Sequence, residues 1–188
     1  IFNGPVALPS TTMEAVVAAD SWALPGRDVA HTSAVPGNSF VPGRLAWQFE
    51  AGTTLRAEPS ISGDRVFLAT GEGKLVALVK GTGDLLWERD LPLLTGASPV
   101  VSGSTAYLTL RDGQVIAFNV ETGDTEWAFQ AADAFFAPAV IHKGVVYATS
   151  WGGVVYALDA IDGRKLWTFE TEGRIVAAPS FNGNLMAV

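Results

Sequence analysis

Short segments with strand-like alternation, each bounded by a turn that contains glycine, fill the chain from residue 45 onward. In residues 65–70, for example, successive side chains would face opposite sides of a sheet. Tight hairpins need a positive φ at one turn position, and glycine adopts it without steric cost. The first full unit of this pattern therefore predicts four antiparallel strands, at residues 59–62, 65–70, 74–80 and 85–91.

The same unit recurs twice with a period of 40 residues. The predicted strands of the two further units cover residues 99–102, 105–110, 114–120, 125–129, 138–142, 145–150, 154–160 and 165–169. Self-similarity at a fixed period near 40 residues is typical of repeat architectures, and four strands per unit form one propeller blade. The sequence therefore predicts an all-β fold, a β-propeller of four-stranded antiparallel blades at residues 58–91, 98–131 and 138–170.

The predicted blades do not complete a ring. Residues 45–50 predict an orphan closing strand without its blade-mates, and residues 178–188 predict the first two strands of a partial blade. Propellers commonly close by pairing an N-terminal strand with the last blade, which protects both sheet edges. About three and a half blades are present, so we expect the N-terminal part of a longer protein. A four-bladed ring that uses residues 45–50 is the alternative.

Three segments, 77–87, 117–127 and 157–167, begin with alanine, carry glycine six residues later and end with tryptophan four residues after that. A fourth tryptophan, Trp47, lies on the same grid. Small alanines would let the blades pack closely, and each tryptophan would fill a groove between blades. Ligand stacking is the alternative, but recurrence in every unit favours a structural docking role for Trp47, Trp87, Trp127, Trp167, Gly83, Gly123, Gly163, Ala77, Ala117 and Ala157.

This motif, A-x-[D/N]-x-x-[T/D]-G-x-x-x-W, resembles the tryptophan-docking motif of the pyrroloquinoline-quinone (PQQ)-like β-propeller repeat family. Residues 117–127 and 157–167 match it closely, whereas residues 77–87 have Val79 at the Asp/Asn position. The Gly-His and Trp-Asp signatures of WD40 repeats are missing. The resemblance covers about residues 45–188 and implies a propeller, usually of about seven or eight blades.

Residues 1–44 differ from the repeats and are predicted to form a proline-rich N-terminal arm. The segment Thr11-Thr12-Met13-Glu14 fits a capping box, which predicts a short helix over residues 13–19. Trp22, a large apolar group outside any periodic pattern, is expected to dock the arm onto the propeller. His31 beside Asp28 is interpreted as an ordinary polar contact, with a catalytic pair as the less favoured alternative.

Composition excludes several classes of site. The net charge is −7 without a basic cluster, which argues against a nucleic-acid partner. The chain has no cysteine, which removes disulfides, thiolate metal sites and cysteine nucleophiles. No apolar run approaches the ~18 to 20 residues of a membrane helix, so any membrane anchoring would lie outside these residues. We find no phosphate-binding loop, metal-ligand spacing or nucleophile motif, and therefore predict no catalytic, cofactor or metal residues.

One unusual cluster is predicted on the face formed by the links between blades and the turns between second and third strands. Trp151 lies in such a turn, where the earlier repeats have Gly71 and Arg111. The adjoining link carries Phe135 and Phe136. Exposed aromatics near arginine are typical of protein-binding surfaces, so the predicted binding residues are Trp151, Phe135, Phe136 and Arg111. In the alternative, the two phenylalanines close the apolar end of the blade.

The family resemblance implies two kinds of function. Quinoprotein dehydrogenases with this repeat bind PQQ with calcium over an adjacent Cys-Cys disulfide, which this chain lacks. The non-catalytic BamB-type lipoproteins of outer-membrane assembly, and extracytoplasmic sensor domains of bacterial membrane kinases, act as binding platforms without that cofactor. We therefore predict an extracytoplasmic protein-interaction scaffold without cofactor. The alternatives are the N-terminal part of a PQQ-dependent dehydrogenase and a kinase sensor domain.

Overall fold

β-Strands are the only regular secondary structure in the part of the chain that the computed structural model describes, residues 12–14, 45–55, 57–92, 95, 97–182 and 185–188. Blade 1 contains β3 (Ser60–Ser62), β4 (Arg65–Ala69), β5 (Lys74–Val79) and β6 (Leu85–Asp90). Blade 2 contains β7 (Val100–Ser102), β8 (Thr105–Thr109), β9 (Gln114–Asn119) and β10 (Thr125–Gln130). Blade 3 contains β11 (Val140–His142), β12 (Val145–Thr149), β13 (Val154–Asp159) and β14 (Lys165–Glu170).

Two further sheets have two strands each. β15 (Ser180–Asn182) pairs with β16 (Leu185–Ala187) as the beginning of a fourth blade. β1 (Thr12–Glu14) pairs with β2 (Gln48–Glu50) at the other end. Every pair is antiparallel, and within each blade the strands are neighbours in chain order. The sheets do not close into a ring, so the predicted all-β, partial propeller is confirmed.

The N-terminal pairing corrects one prediction. Thr12–Glu14, which the capping-box pattern placed at the start of a helix, is a strand whose Thr12 is registered with Glu50. The backbone groups at the edge of β2 need hydrogen-bond partners, and this segment supplies them. The strand predicted within residues 45–50 thus has a partner from the N-terminal region. The remainder of the predicted helix, Trp22 and His31 lie outside the described residues.

The apolar core lies between successive blades. In each blade the second and third strands are almost entirely buried, whereas the outer fourth strand alternates between exposed and buried positions in blades 1 and 2. A register shift in every outer strand pair places the motif alanine directly opposite the motif tryptophan, as in Ala77 opposite Trp87. Ala77, Ala117 and Ala157 are fully buried. The sheet surface under each tryptophan is therefore flat and closely packed.

Three of the four grid tryptophans contact the next blade in the same way. The indole Nε1 of Trp47, Trp87 and Trp127 donates a hydrogen bond to the carbonyl oxygen 33 residues later, at 2.7, 3.0 and 3.1 Å. Each ring also lies against the glycine 36 residues later, where an added Cβ would come within 2.5 to 2.7 Å of the ring carbons. All three rings are 8% exposed. Their contribution to stability stays a prediction.

Trp167 occupies the same place in its blade but lacks this neighbour. The glycine that would receive it falls at position 203, beyond the 188 residues of the chain. Its ring contacts Tyr147 of its own blade at 5.8 Å, as Trp127 contacts Tyr107. With no turn against its other side, Trp167 is 41% exposed. It thus provides an undocked counterpart of Trp127 within the same chain.

One hairpin predicts a stabilising substitution. Lys143 and Gly144 join β11 to β12 with φ of 51° and 76°, and Lys143 is the only non-glycine residue with positive φ in the described part of the chain. Asparagine followed by glycine is preferred where both turn residues have positive φ. Lys143→Asn is therefore expected to raise the free energy of unfolding by about 1 kcal/mol. Urea denaturation measures this gain, and Lys143→Ala, which keeps the backbone strain, should not show it.

Candidate functional site

The face predicted to carry function is formed by the turns between second and third strands and by the links between blades. The link of residues 131–139 is held on both sides by backbone hydrogen bonds. The amide of Phe135 donates to the carbonyl of Leu110 in blade 2 at 3.2 Å, and the amide of Trp151 in blade 3 donates to Ala134 at 2.8 Å. An isolated bridge also pairs Phe135 with Ser150. The backbone under this surface is thus fixed by two blades.

Two exposed aromatic rings meet at this point. Phe136 in the link is 39% exposed and Trp151 in the turn of blade 3 is 38% exposed. Their ring centroids lie 5.1 Å apart with an interplanar angle of 52°. This distance and tilt lie within the preferred range for aromatic pairs. The two rings therefore support each other while each keeps one part of its surface in solvent.

An arginine lies over each ring. The guanidinium carbon of Arg111, in the turn of blade 2, is 5.0 Å from the Phe136 centroid. That of Arg174, in the link after blade 3, is 4.9 Å from the Trp151 centroid. Both distances are those of cation–π contacts. We refer to Arg111, Phe136, Trp151 and Arg174 as the arginine–aromatic stack. It crosses from blade 2 over blade 3 to the next link.

Phe135 does not belong to this surface. It is 1% exposed and packs edge-on against Tyr156, with ring centroids 5.8 Å apart. Tyr156 also contacts Phe129 at 5.5 Å, and burial raises the pKa of its phenol above the ordinary value. This placement corrects the prediction that Phe135 is a binding residue, because its bridge to Ser150 turns the ring inward. Phe135 instead fulfils the alternative, closing the apolar end of the blade below the stack.

Sequence reasoning placed Arg174 on this face without including it among the binding residues. The 40-residue grid contained a usable signal. Arg174 follows Trp151 by the same 23 residues that separate Ala134 from Arg111, and this link position is held beside the turn. A charged residue at the grid position of Ala134 was thus predictable as a neighbour of Trp151. The sequence alone did not show that its guanidinium covers the ring.

Other parts of the described residues offer little for chemistry. No group of three histidine, aspartate or glutamate side chains within them is placed to hold a metal ion. A cavity of about 310 Å³ lies on the opposite face between blades 1 and 2. Its one arginine, Arg65, is engaged by Asp64 and Glu121 at 3.2 and 2.5 Å. Within the same described ranges, no helix has the length and apolarity to cross a membrane.

Successive four-stranded antiparallel blades with conserved spacing define this chain as part of a β-propeller. A family model described as "Outer membrane protein assembly factor BamB" matches residues 39–136 and 131–188. The chain therefore belongs to this family of PQQ-like propellers. A comparison with curated proteins gave no match.

Solved structures of several kinds share the fold. The crystal structure of BamB from Moraxella catarrhalis is 23% identical, with a TM-score of 0.69 over 76% of this chain and 45% of that one. The quinohemoprotein alcohol dehydrogenase ADHIIG from Pseudomonas putida HK5 is 20% identical, with a TM-score of 0.71 over 80% of this chain and 26% of that one. The computationally designed Ika8 protein is 17% identical, with a TM-score of 0.68 over 77% and 46%. At these identities the likeness concerns the fold, and the chain spans less than half the length of each.

Proposed function

We propose that this chain is part of a non-catalytic propeller scaffold that binds another protein through the arginine–aromatic stack. The observation that carries the proposal is the pair of half-exposed rings, Phe136 and Trp151, each covered by an arginine. Tryptophan and arginine are enriched among the residues that dominate binding energy at protein interfaces. The family description, an outer-membrane-protein assembly factor, supports a role in a larger assembly. It also supports an extracytoplasmic location.

The way the stack is held favours binding. Both rings sit on backbone that is hydrogen-bonded to two blades, and Phe135 and Tyr156 fill the space beneath them. Ordering a surface side chain on association costs about 0.5 to 1.5 kcal/mol, and a pre-ordered group avoids part of that cost. A partner that covers Trp151 would therefore gain its apolar area with little loss of conformational entropy. The partner itself and any membrane anchor are not defined by these residues.

The binding role predicts the effect of a double substitution. Trp151→Ser with Phe136→Ser should abolish capture of the partner from an envelope extract of the source cells, because anchors of this kind often contribute more than ~2 kcal/mol each. The bound proteins are compared by mass spectrometry with those of the unsubstituted chain. Circular dichroism should show the same β-sheet spectrum for both.

Ile161→Ser is the matched control for this experiment. Ile161 is 87% exposed, belongs to the same blade and lies in the turn at the opposite end of β13. It changes an apolar residue to serine without touching the stack, so capture should persist. If the double variant captures the same proteins as the unsubstituted chain, the stack is not the binding surface.

A redox enzyme is the second candidate, because the solved structures that share the fold include the quinohemoprotein alcohol dehydrogenase and a europium-containing methanol dehydrogenase. The residues in hand do not fit a quinone–calcium pair. Calcium binds six to eight oxygen ligands, and no three carboxylates converge in the described part of the chain. The chain also has no cysteine for the disulfide of the quinoprotein pattern.

Quinone retention separates the two candidates. After incubation with PQQ and calcium followed by desalting, the protein is expected to show no quinone absorbance and no dye-linked alcohol oxidation. A quinohemoprotein alcohol dehydrogenase treated in the same way is the positive control for both signals. Stoichiometric retained quinone would reject the scaffold proposal in favour of the dehydrogenase.

A further inference from the structure

The arginines of this chain fall into two groups by their surroundings. Arg65 pairs with Glu121 at 2.5 Å, Arg89 with Asp124 at 3.3 Å, and Arg164 with Asp159 at 3.7 Å. Within the described ranges, neither Arg111 nor Arg174 has a carboxylate within 4 Å. The chain carries a net charge of −7, so acidic groups are in excess. The two unpaired arginines are thus set apart by position, because both belong to the stack.

The stacked geometry leaves these guanidinium groups ready for an acidic ligand. A guanidinium that lies over a ring uses the face of its plane, whereas its N–H donors point outward in that plane. Those donors match the two oxygens of a carboxylate. The nearby carboxylate of Asp112 accepts a hydrogen bond from the amide of Gln114 at 3.0 Å and is held within its own turn. The donors of both arginines therefore remain available for a partner.

The spacing of the stack sets the length of such a ligand. Contacts of 5.0, 5.1 and 4.9 Å link its four members, so the outer guanidinium carbons are at most about 15 Å apart. An extended chain rises about 3.3 Å per residue and spans this distance in about four residues. Two carboxylates four residues apart would reach Arg111 and Arg174. The side chain halfway between them would lie over Phe136 and Trp151, where an apolar group is favoured.

We propose that the stack recognises an extended acidic segment of a partner protein, with two carboxylates about four residues apart and an apolar side chain between them. This inference rests on the proposed function and adds the chemistry of the partner. Arg111 and Arg174 bind the carboxylates, and the aromatic pair binds the apolar residue. Charge complementarity between the unpaired arginines and the acidic segment selects this occupant over an apolar segment without charge.

The first test uses a synthetic peptide, Asp-Ser-Leu-Ser-Asp with blocked ends, and its analogue with asparagine in place of both aspartates. Titration is followed by the NMR signal of the Trp151 indole, which Trp151→Phe assigns by its loss. The aspartate peptide is expected to shift this signal with saturation, and the asparagine analogue to bind at least tenfold more weakly. Equal binding of both peptides, or binding of neither, would overturn the proposal. So would a stronger response to anionic phosphatidylglycerol vesicles than to the peptide.

The second test reverses charge on the protein. Arg111→Glu and Arg174→Glu are each expected to weaken binding of the aspartate peptide at least tenfold. Arg164→Glu, the same change at an exposed arginine in the turn at the opposite end of β13, is the matched control and should bind normally. Equal weakening by all three would show a general charge effect and contradict the proposal.

Partner capture distinguishes failure of this inference from failure of the proposed function. If Trp151→Ser with Phe136→Ser loses the cellular partner while Arg111→Glu with Arg174→Glu retains it, the scaffold function stands and the acidic segment is wrong. Loss of the partner in both double variants supports the acidic segment. Retention in both overturns the two proposals together.

Discussion

Replacing Trp127 with alanine is expected to lower the free energy of unfolding by about 3 to 5 kcal/mol, the usual loss for a buried tryptophan. Its indole lies between two blades, in contact with Tyr107 at 5.8 Å and with Gly163 of the next blade. The Nε1 proton is satisfied by the carbonyl of Ala160 at 3.1 Å. Alanine leaves a cavity in this groove and an unpaired carbonyl beside it. Urea denaturation of the 188-residue chain, followed by far-UV circular dichroism, measures the loss.

The undocked Trp167 is the matched control for this experiment. It has the same place in its blade and the same tyrosine contact, but its other side is exposed. Trp167→Ala is therefore expected to cost well under the loss at Trp127, as is Trp151→Ala at the surface. The difference between Trp127 and Trp167 isolates the contact with the next blade. Equal losses at all three positions would show that docking between blades does not account for the stability.

The strands of the repeats were predictable because the signals that define them are local. The fourth strand of blade 1 was predicted at residues 85–91 and is found at Leu85–Asp90. That of blade 2 was predicted at residues 125–129 and is found at Thr125–Gln130. Alternation of side chains and glycine in the hairpins fix such elements within a few residues of sequence. Three copies of one pattern then reinforce each assignment.

Adjacent phenylalanines show where local reasoning stopped. Phe135 and Phe136 are chemically identical, and only the bridge from Phe135 to Ser150 decides which ring turns inward. The repeat itself held the answer, since the grid positions of Phe135 include Leu55, Thr95 and Ile175. Those three are buried or partly buried. A position that is inward in every repeat belongs to the fold, whereas Phe136 stands out from its grid neighbour Val176 only by being aromatic.

Contacts between distant segments were the least accessible to the sequence. The arginine–aromatic stack joins residues from two turns and two links, and no local pattern relates Arg111 to Arg174. The pairing of β1 with β2 likewise joins segments more than thirty residues apart. In that case a local capping signal competed with strand pairing and lost. Tertiary hydrogen bonds thus overrode the local propensity of Thr12–Glu14.

Gly163→Ala is expected to destabilise the chain by about 2 to 5 kcal/mol, through two separable effects. Gly163 has φ of 71°, where an L side chain costs about 1 to 2 kcal/mol. Its new Cβ would also lie 2.5 Å from Cε3 of Trp127, and such overpacking costs about 1 to 3 kcal/mol more. Gly144→Ala is the matched control, because Gly144 has φ of 76° and nothing within 4 Å of an added Cβ. It should show only the backbone cost.

A double-mutant cycle with Trp127 completes this test. Once Trp127→Ala removes the ring, the Cβ at residue 163 has space, so the further cost of Gly163→Ala should fall to that of Gly144→Ala. This non-additivity arises only if ring and glycine touch across the two blades, as their separation indicates. The same urea denaturation measures all four members of the cycle. Strict additivity, or equal losses for Gly163→Ala and Gly144→Ala, would show that the glycine serves the hairpin alone and does not receive the tryptophan.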